Sequence, residues 1–220
     1  MSIGVHLDQS VGVMEETRFK KKYVQIIKKL AKESHFTIPE MEVLMLLYYK
    51  IQKNGSEKSP GVTKVQLREV LHAGFDMTDV DFTNNVVMSM FRGPSPYVPK
   101  ETFGKVMSTF LRGNLDDRIK HCFNVYDVMM KGFLRRDTLV RFLTPCFIRG
   151  EEDTDDSVKD LADIITNKLD LNRDGQISSE EYKEAIEKDP LLMECLGICL
   201  PSRLAAYTIL YTTLPKIGKL

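Results

Sequence analysis

The amino-acid sequence predicts an all-α protein made of four helix-loop-helix units arranged as two pairs, three of the units carrying degenerate loops. Two observations lead there. Apolar residues recur at helical spacing on both sides of short loop stretches, and an apolar residue stands at a matching place inside each stretch, at Val62, Val98, Leu134 and Ile177, at intervals of 36, 36 and 43 residues. Recurrence on this scale is the mark of one supersecondary unit repeated along the chain.

In the first unit, Met41, Leu44, Met45 and Tyr48 precede Val62, and Leu67, Val70 and Leu71 follow it. The second has Val86, Val87, Met90 and Phe91 before Val98, then Phe103, Val106, Met107 and Phe110. In the third, Ile119, Cys122, Phe123 and Tyr126 lead to Leu134, and Leu139, Phe142 and Leu143 run on until Pro145. The fourth has Val158, Leu161, Ile164, Ile165 and Leu169 before Ile177, then Tyr182, Ala185 and Ile186 until Pro190 stops the helix. The last interval is longer because a charged linker, Arg149 to Ser157, separates the third and fourth units. The expected organisation is one pair over 18–113, a second over 114–200 and an apolar tail over 201–220. An amphipathic helix opens the chain, with Val24, Ile27, Leu30 and Ala31 inward and Lys20, Lys21, Lys22, Lys28, Lys29 and Lys32 on a solvated face.

The polar stretch of the fourth unit, residues 170 to 181 (DLNRDGQISSEE), carries readable chemistry. Ca²⁺ is a hard cation that takes six to eight oxygens, and a twelve-residue EF-hand loop supplies them at fixed offsets. Asp170, Asn172 and Asp174 stand at the first, third and fifth positions and offer side-chain oxygens. Gln176, the seventh, offers its backbone carbonyl; Ser178, the ninth, can hold a coordinating water; Glu181, the twelfth, can close the shell with both carboxylate oxygens. Gly175 fills the sixth position, where the chain turns sharply. The chain therefore reads as two EF-hand pairs with one calcium site.

The other three loops lack this chemistry. From Asp127 to Thr138 the first ligand and Gly132 persist, but Met129, Lys131, Arg135 and Thr138 occupy the third, fifth, ninth and twelfth positions. An ammonium has no lone pair for a metal, and its charge repels Ca²⁺. Arg92 to Lys100 contains Pro94, Pro96 and Pro99 and no carboxylate, and the first loop is basic, with Gly55, Pro60 and Gly61 around Ser and Lys. The apolar residue kept in each loop suits a role in bracing the neighbouring one.

Composition excludes several classes. With 31 Lys and Arg against 31 Asp and Glu, the charge balance does not ask for nucleic acid. No apolar window is long enough for a membrane span, no signal-peptide pattern opens the sequence, and Ser2 in place of Gly removes the usual myristoyl acceptor. Cys122, Cys146, Cys195 and Cys199 lie in apolar segments and are expected as reduced core residues. His72 and His121 are expected to be packed, and the methionines, including Met41, Met45, Met88, Met90 and Met107, read as core or as an adaptable groove. There is no phosphate loop, nucleophile elbow or zinc-protease helix, so a non-catalytic binding subunit is expected. The tail, Arg203 to Leu214, with Tyr207, Ile209, Leu210 and Tyr211, can fold back on the second pair or dock on a partner; both remain open.

The segments Leu71–Asp79 (LHAGFDMTD), Met90–Gly93, Phe110–Gly113, Lys120–Asp127 (KHCFNVYD) and Leu191–Pro201 (LLMECLGICLP) together resemble calaxin-like EF-hand proteins of the ciliary and flagellar axoneme. The resemblance implies a cytoskeletal protein that binds outer-arm dynein or its docking complex on doublet microtubules and adjusts motor activity with calcium. The family carries three recognisable calcium loops where this chain has one, and the stretch between Arg92-Gly93 and Arg112-Gly113 is a few residues shorter than the family pattern. A structural axonemal subunit follows from that; a calcium sensor that binds a target helix elsewhere in the cell is the alternative.

Overall fold

A computed structural model describes residues 6–55, 60–91, 93–147 and 154–214. Residues 56–59 of the first loop, Arg92 and residues 149–153 of the linker lie outside the described residues. The elements in order are α1 Val13–Lys32, α2 Ile38–Gly55, β1 Val62–Thr63, α3 Lys64–Phe75, α4 Val80–Met90, β2 Tyr97–Val98, α5 Lys100–Arg112, α6 Leu115–Tyr126, β3 Phe133–Arg135, α7 Arg136–Leu143, α8 Thr154–Leu169, β4 Gln176–Ser178, α9 Ser179–Lys188 and α10 Arg203–Thr213. Short 3-10 turns occupy Thr144–Cys146 and Pro190–Glu194.

The strands form two antiparallel ribbons. In one, Val62 pairs with Val98; in the other, Leu134 pairs with Ile177. All four residues are almost wholly buried. Helix starts are set locally by capping boxes, in which a side chain and a backbone N–H each satisfy the other residue. Thr63 pairs in this way with Gln66, Asn114 with Asp117 and Ser178 with Glu181.

Chain contacts divide the protein into two units: Met1–Thr78, Met90–Gly113 and Pro201–Leu220 form the first, and Asp79–Ser89 with Asn114–Leu200 the second. The division departs from a linear one in two places, each with a packing reason. Within the second unit, Phe82 of α4 packs on Phe142 and Tyr126, with ring centroids 5.5 and 6.3 Å away. Gly197, in the same unit, permits this: its φ is +138°, and a Cβ there would lie 2.2 Å from the Phe82 ring. The tail helix α10 instead rests on α3 and α5 of the first unit.

Lys20 departs from the solvated face expected of it. It is buried, with its ammonium 2.7 Å from the buried Glu16 carboxylate, which also accepts the Leu7 N–H at 2.9 Å. Burial opposes the charge on Glu16, but the hydrogen bonds from Lys20 and Leu7 outweigh it and hold the carboxyl below its usual pKa. The remainder of α1 follows the pattern, with Ile27 and Leu30 buried and Lys28, Lys29 and Lys32 exposed.

In the first unit the ribbon is held by a tyrosine. The Tyr48 hydroxyl donates to the Val98 carbonyl at 2.6 Å and accepts the Val62 N–H at 3.1 Å, so one buried side chain ties both strands. Its ring packs edge-on against Phe103, 5.3 Å between centroids. Removing a buried hydrogen-bond partner leaves the other groups desolvated and unpaired, at a cost of about 1–3 kcal/mol. Tyr48→Phe is accordingly expected to lower the urea-unfolding free energy of the protein by about that much; an unchanged midpoint would show that the hydroxyl does not hold the ribbon.

Candidate metal centre

The Asp170 loop is positioned by α8, which ends at Leu169, and by α9, which begins at Ser179 after β4. The buried Asp170 carboxylate draws the loop around itself. Its Oδ1 accepts the N–H groups of Arg173 at 2.7 Å and Asp174 at 3.2 Å, and its Oδ2 accepts that of Gly175 at 2.9 Å. Asn172 Oδ1 accepts the Asp174 N–H at 2.8 Å, and Asp174 Oδ1 accepts that of Gln176 at 2.8 Å. Two residues take the left-handed backbone region that this turn requires, Arg173 at φ 62° and Gly175 at φ 82°.

Glu181 closes the circuit from the far side. Its Oε2 accepts the Ser178 N–H at 2.9 Å and hydroxyl at 2.7 Å, and its Oε1 accepts the Asn172 N–H at 3.2 Å across the loop. Burial works against its charge, but these hydrogen bonds prevail and keep the carboxyl below its usual pKa. Ser178, expected to hold a coordinating water, also caps α9 with its hydroxyl. Gln176 lies in β4, opposite Arg135.

Asp170, Asn172, Asp174, Gln176 and Glu181 lie on one twelve-residue loop, in which the carboxylates of Asp170, Asp174 and Glu181 accept backbone N–H groups. Among the described residues, no three His, Cys, Asp or Glu side chains converge as a metal cluster. The donor set is all oxygen, with three carboxylates, which suits a hard divalent cation and not a soft one.

The Asp127 loop is folded in the same way without that donor set. Asp127, itself buried, accepts the N–H groups of Lys131 at 2.9 Å and Gly132 at 2.8 Å. Met130 and Gly132, at the fourth and sixth positions, have φ of 54° and 78°, matching Arg173 and Gly175. Met129 projects outward and is 67% exposed. The first-position carboxylate therefore shapes the turn even where no metal chemistry survives, a role that sequence alone signals only through the retained Asp127 and Gly132.

Other candidate residues have structural places. Cys122 and Cys199 are buried, Cys195 is half-buried, and Cys146 is exposed, contrary to the expectation of a core residue. His121 Nε2 lies 3.1 Å from the Cys199 carbonyl, and burial pushes its pKa down to about 4, so it is a neutral packed group. His72 is exposed on α3 and not packed. Met41, Met45 and Met107 are core residues, while Met88 is 56% exposed.

Helices flanking a twelve-residue oxygen-donor loop that is ribbon-paired to a neighbouring loop define an EF-hand protein, and a family model of the EF-hand domain pair matches residues 116–187. The chain is similar to calaxin of Danio rerio, 33% identical over 171 residues, covering 76% of this chain and 81% of that protein. It is also similar to calaxin of Homo sapiens, 32% identical over 196 residues, covering 83% and 89%. A shorter likeness, 28% over 103 residues, joins it to guanylyl cyclase-activating protein 1 of Lithobates pipiens, covering 47% of this chain and 50% of that protein. The chain belongs to the calaxin family of calcium-binding EF-hand proteins.

If the Asp127 carboxylate holds its loop by two backbone hydrogen bonds, Asp127→Ala leaves two N–H groups without their acceptor. The expected loss is about 1–3 kcal/mol in chelator, where no metal contributes, read by urea unfolding. Unchanged stability would mean that the ribbon alone maintains the turn.

Proposed function

We propose that this protein binds one Ca²⁺, held by Asp170, Asn172, Asp174, the Gln176 carbonyl and Glu181, and serves as a non-catalytic axonemal subunit that helps dock or modulate outer-arm dynein. The observation that carries the calcium reading is the contrast between two loops of matching backbone form. One presents oxygens at every ligand offset, and the other presents Met129, Lys131, Arg135 and Thr138. Membership of the calaxin family supports the axonemal location and the dynein partner. Among the described residues no helix is long and apolar enough to cross a membrane.

Affinity is expected in the range of roughly 10⁻⁷ to 10⁻⁵ M, or weaker because the partner loop contributes no second ion. Isothermal calorimetry should give one site of that class, and Glu181→Gln should abolish most of the heat, since Gln cannot supply the bidentate charge that closes the shell. Two or more sites, or near-normal binding by Glu181→Gln, would contradict the assignment.

With one site, calcium can shift a conformational equilibrium by at most about 2.7 kcal/mol at about a hundredfold excess over the dissociation constant. That adjusts a contact and does not assemble an otherwise absent complex, because a ligand moves an equilibrium only by its differential affinity for the two states. A groove opened for a target helix is also disfavoured by the second unit's own packing. The Tyr126 hydroxyl donates to the Gly197 carbonyl at 2.9 Å, and that of Tyr182 to the Met193 carbonyl at 2.5 Å, so segment 190–200 already closes over these rings. Attachment to the docking complex is therefore calcium-independent, with calcium tuning the second unit. In a pull-down from axonemal extract, dynein or docking-complex subunits should be retained equally in chelator and in saturating calcium; their complete loss in chelator would overturn this reading.

A further inference from the structure

The Asp127 loop encloses a cavity of about 150 Å³ where an EF-hand would hold its ion. Its lining includes Lys131, Arg135 and Arg141, with Asp127, Asp137 and Thr138. No ion pair engages Lys131, Arg135 or Arg141 among the described residues. The two guanidiniums stack on rings, Arg135 on Phe133 at 5.0 Å and Arg141 on Phe142 at 5.5 Å. The Asp127 carboxylate accepts the loop's own N–H groups, as that of Asp170 does. In place of the oxygen donors of the Asp170 loop, this pocket has three cationic side chains at its wall.

We propose that this cavity is a phosphoryl site, taking a phosphate dianion either carried on Thr138 or bound free. A phosphate offers three strong acceptor oxygens and close to two negative charges at neutral pH, the chemistry that Arg and Lys clusters recognise. Thr138 holds the twelfth loop position, the counterpart of Glu181, whose carboxylate accepts the N–H groups at the third and ninth positions of the sister loop. The corresponding residues here are Met129 and Arg135. Helix α7 has no side-chain cap at Arg135, so an anion on Thr138 stands where Glu181 stands in α9.

The local sequence gives the covalent source a route. Arg135-Arg136-Asp137-Thr138 places two arginines two and three residues before a half-buried threonine, a spacing suited to a base-directed protein kinase. In that reaction Thr138 Oγ1 bonds to the γ-phosphorus of ATP, the bond between that phosphorus and the β,γ-bridging oxygen breaks, ADP leaves and the hydroxyl proton passes to the kinase's base. This inference does not depend on calcium at the Asp170 loop.

The test uses the full-length protein in two arms. In the first, phosphothreonine is incorporated genetically at 138 and its second ionisation is followed by phosphorus NMR. The expected pKa falls from about 6 to about 5, and Lys131→Gln or Arg141→Gln each raise it again. In the second arm, unmodified protein is titrated with inorganic phosphate; saturable amide shifts at residues 131–141 that vanish in Arg141→Gln would assign the site to free phosphate. An ordinary phosphothreonine pKa, or one indifferent to both substitutions, together with no saturable phosphate binding, would overturn the proposal.

Discussion

Leu134 and Ile177 face each other across a ribbon of three residue pairs, both buried, and the rest of the second unit depends on that pairing. Each residue is the eighth of its loop, so the ribbon fixes the two turns to a common backbone frame. A loop in this frame cannot simply unravel when it loses its ligands, because its strand would leave the partner's N–H and C=O groups unpaired. Such buried groups must be satisfied or cost free energy. The Asp127 loop accordingly carries the residues that shape the turn, Asp127 and Gly132, without oxygen donors at its third and fifth positions, where Met129 and Lys131 stand.

The same constraint is met by other chemistry in the first unit. There the second loop carries three prolines and no carboxylate from residue 93 to 100, and the ribbon between Val62 and Val98 is bridged from the core by the Tyr48 hydroxyl. Lys64 adds a backbone bond to the Pro96 carbonyl at 3.0 Å and a side-chain bond to the Gly93 carbonyl at 3.2 Å. A phenol fixed in the core replaces whatever bracing a bound ion supplies in a working hand. On the proposed single-site reading, calcium would have direct purchase on the second unit alone, which is the physical basis of the proposed separation of attachment from regulation.

Much of this was legible in the sequence wherever the information is local. The helix stops at Leu143 and Lys188, ahead of Pro145 and Pro190, follow from the missing proline N–H and from the restriction on the preceding residue. The pairing of Val62 with Val98 and of Leu134 with Ile177 follows from a residue at the same place in each loop. Long-range partners were not legible. Lys20 looks like a surface lysine until Glu16 and the Leu7 N–H are brought together around it. Phe82 gives no sign that its ring needs Gly197 bare of a side chain, and the tail gives none that α10 lies on α3 and α5. The Ser178 hydroxyl, expected to hold a coordinating water, caps α9 as well.

Two loops share a backbone form, and only one carries the donors for an ion. The most direct measurement is a calcium titration of isotope-labelled protein that follows the amide signals of Gly175 and Gly132, the sixth residues of the two loops. Gly175 is expected to shift and saturate at one equivalent, with any movement at Gly132 transmitted through the ribbon and complete at that same point. A Gly132 signal that continues to move and saturates with a second equivalent would contradict it.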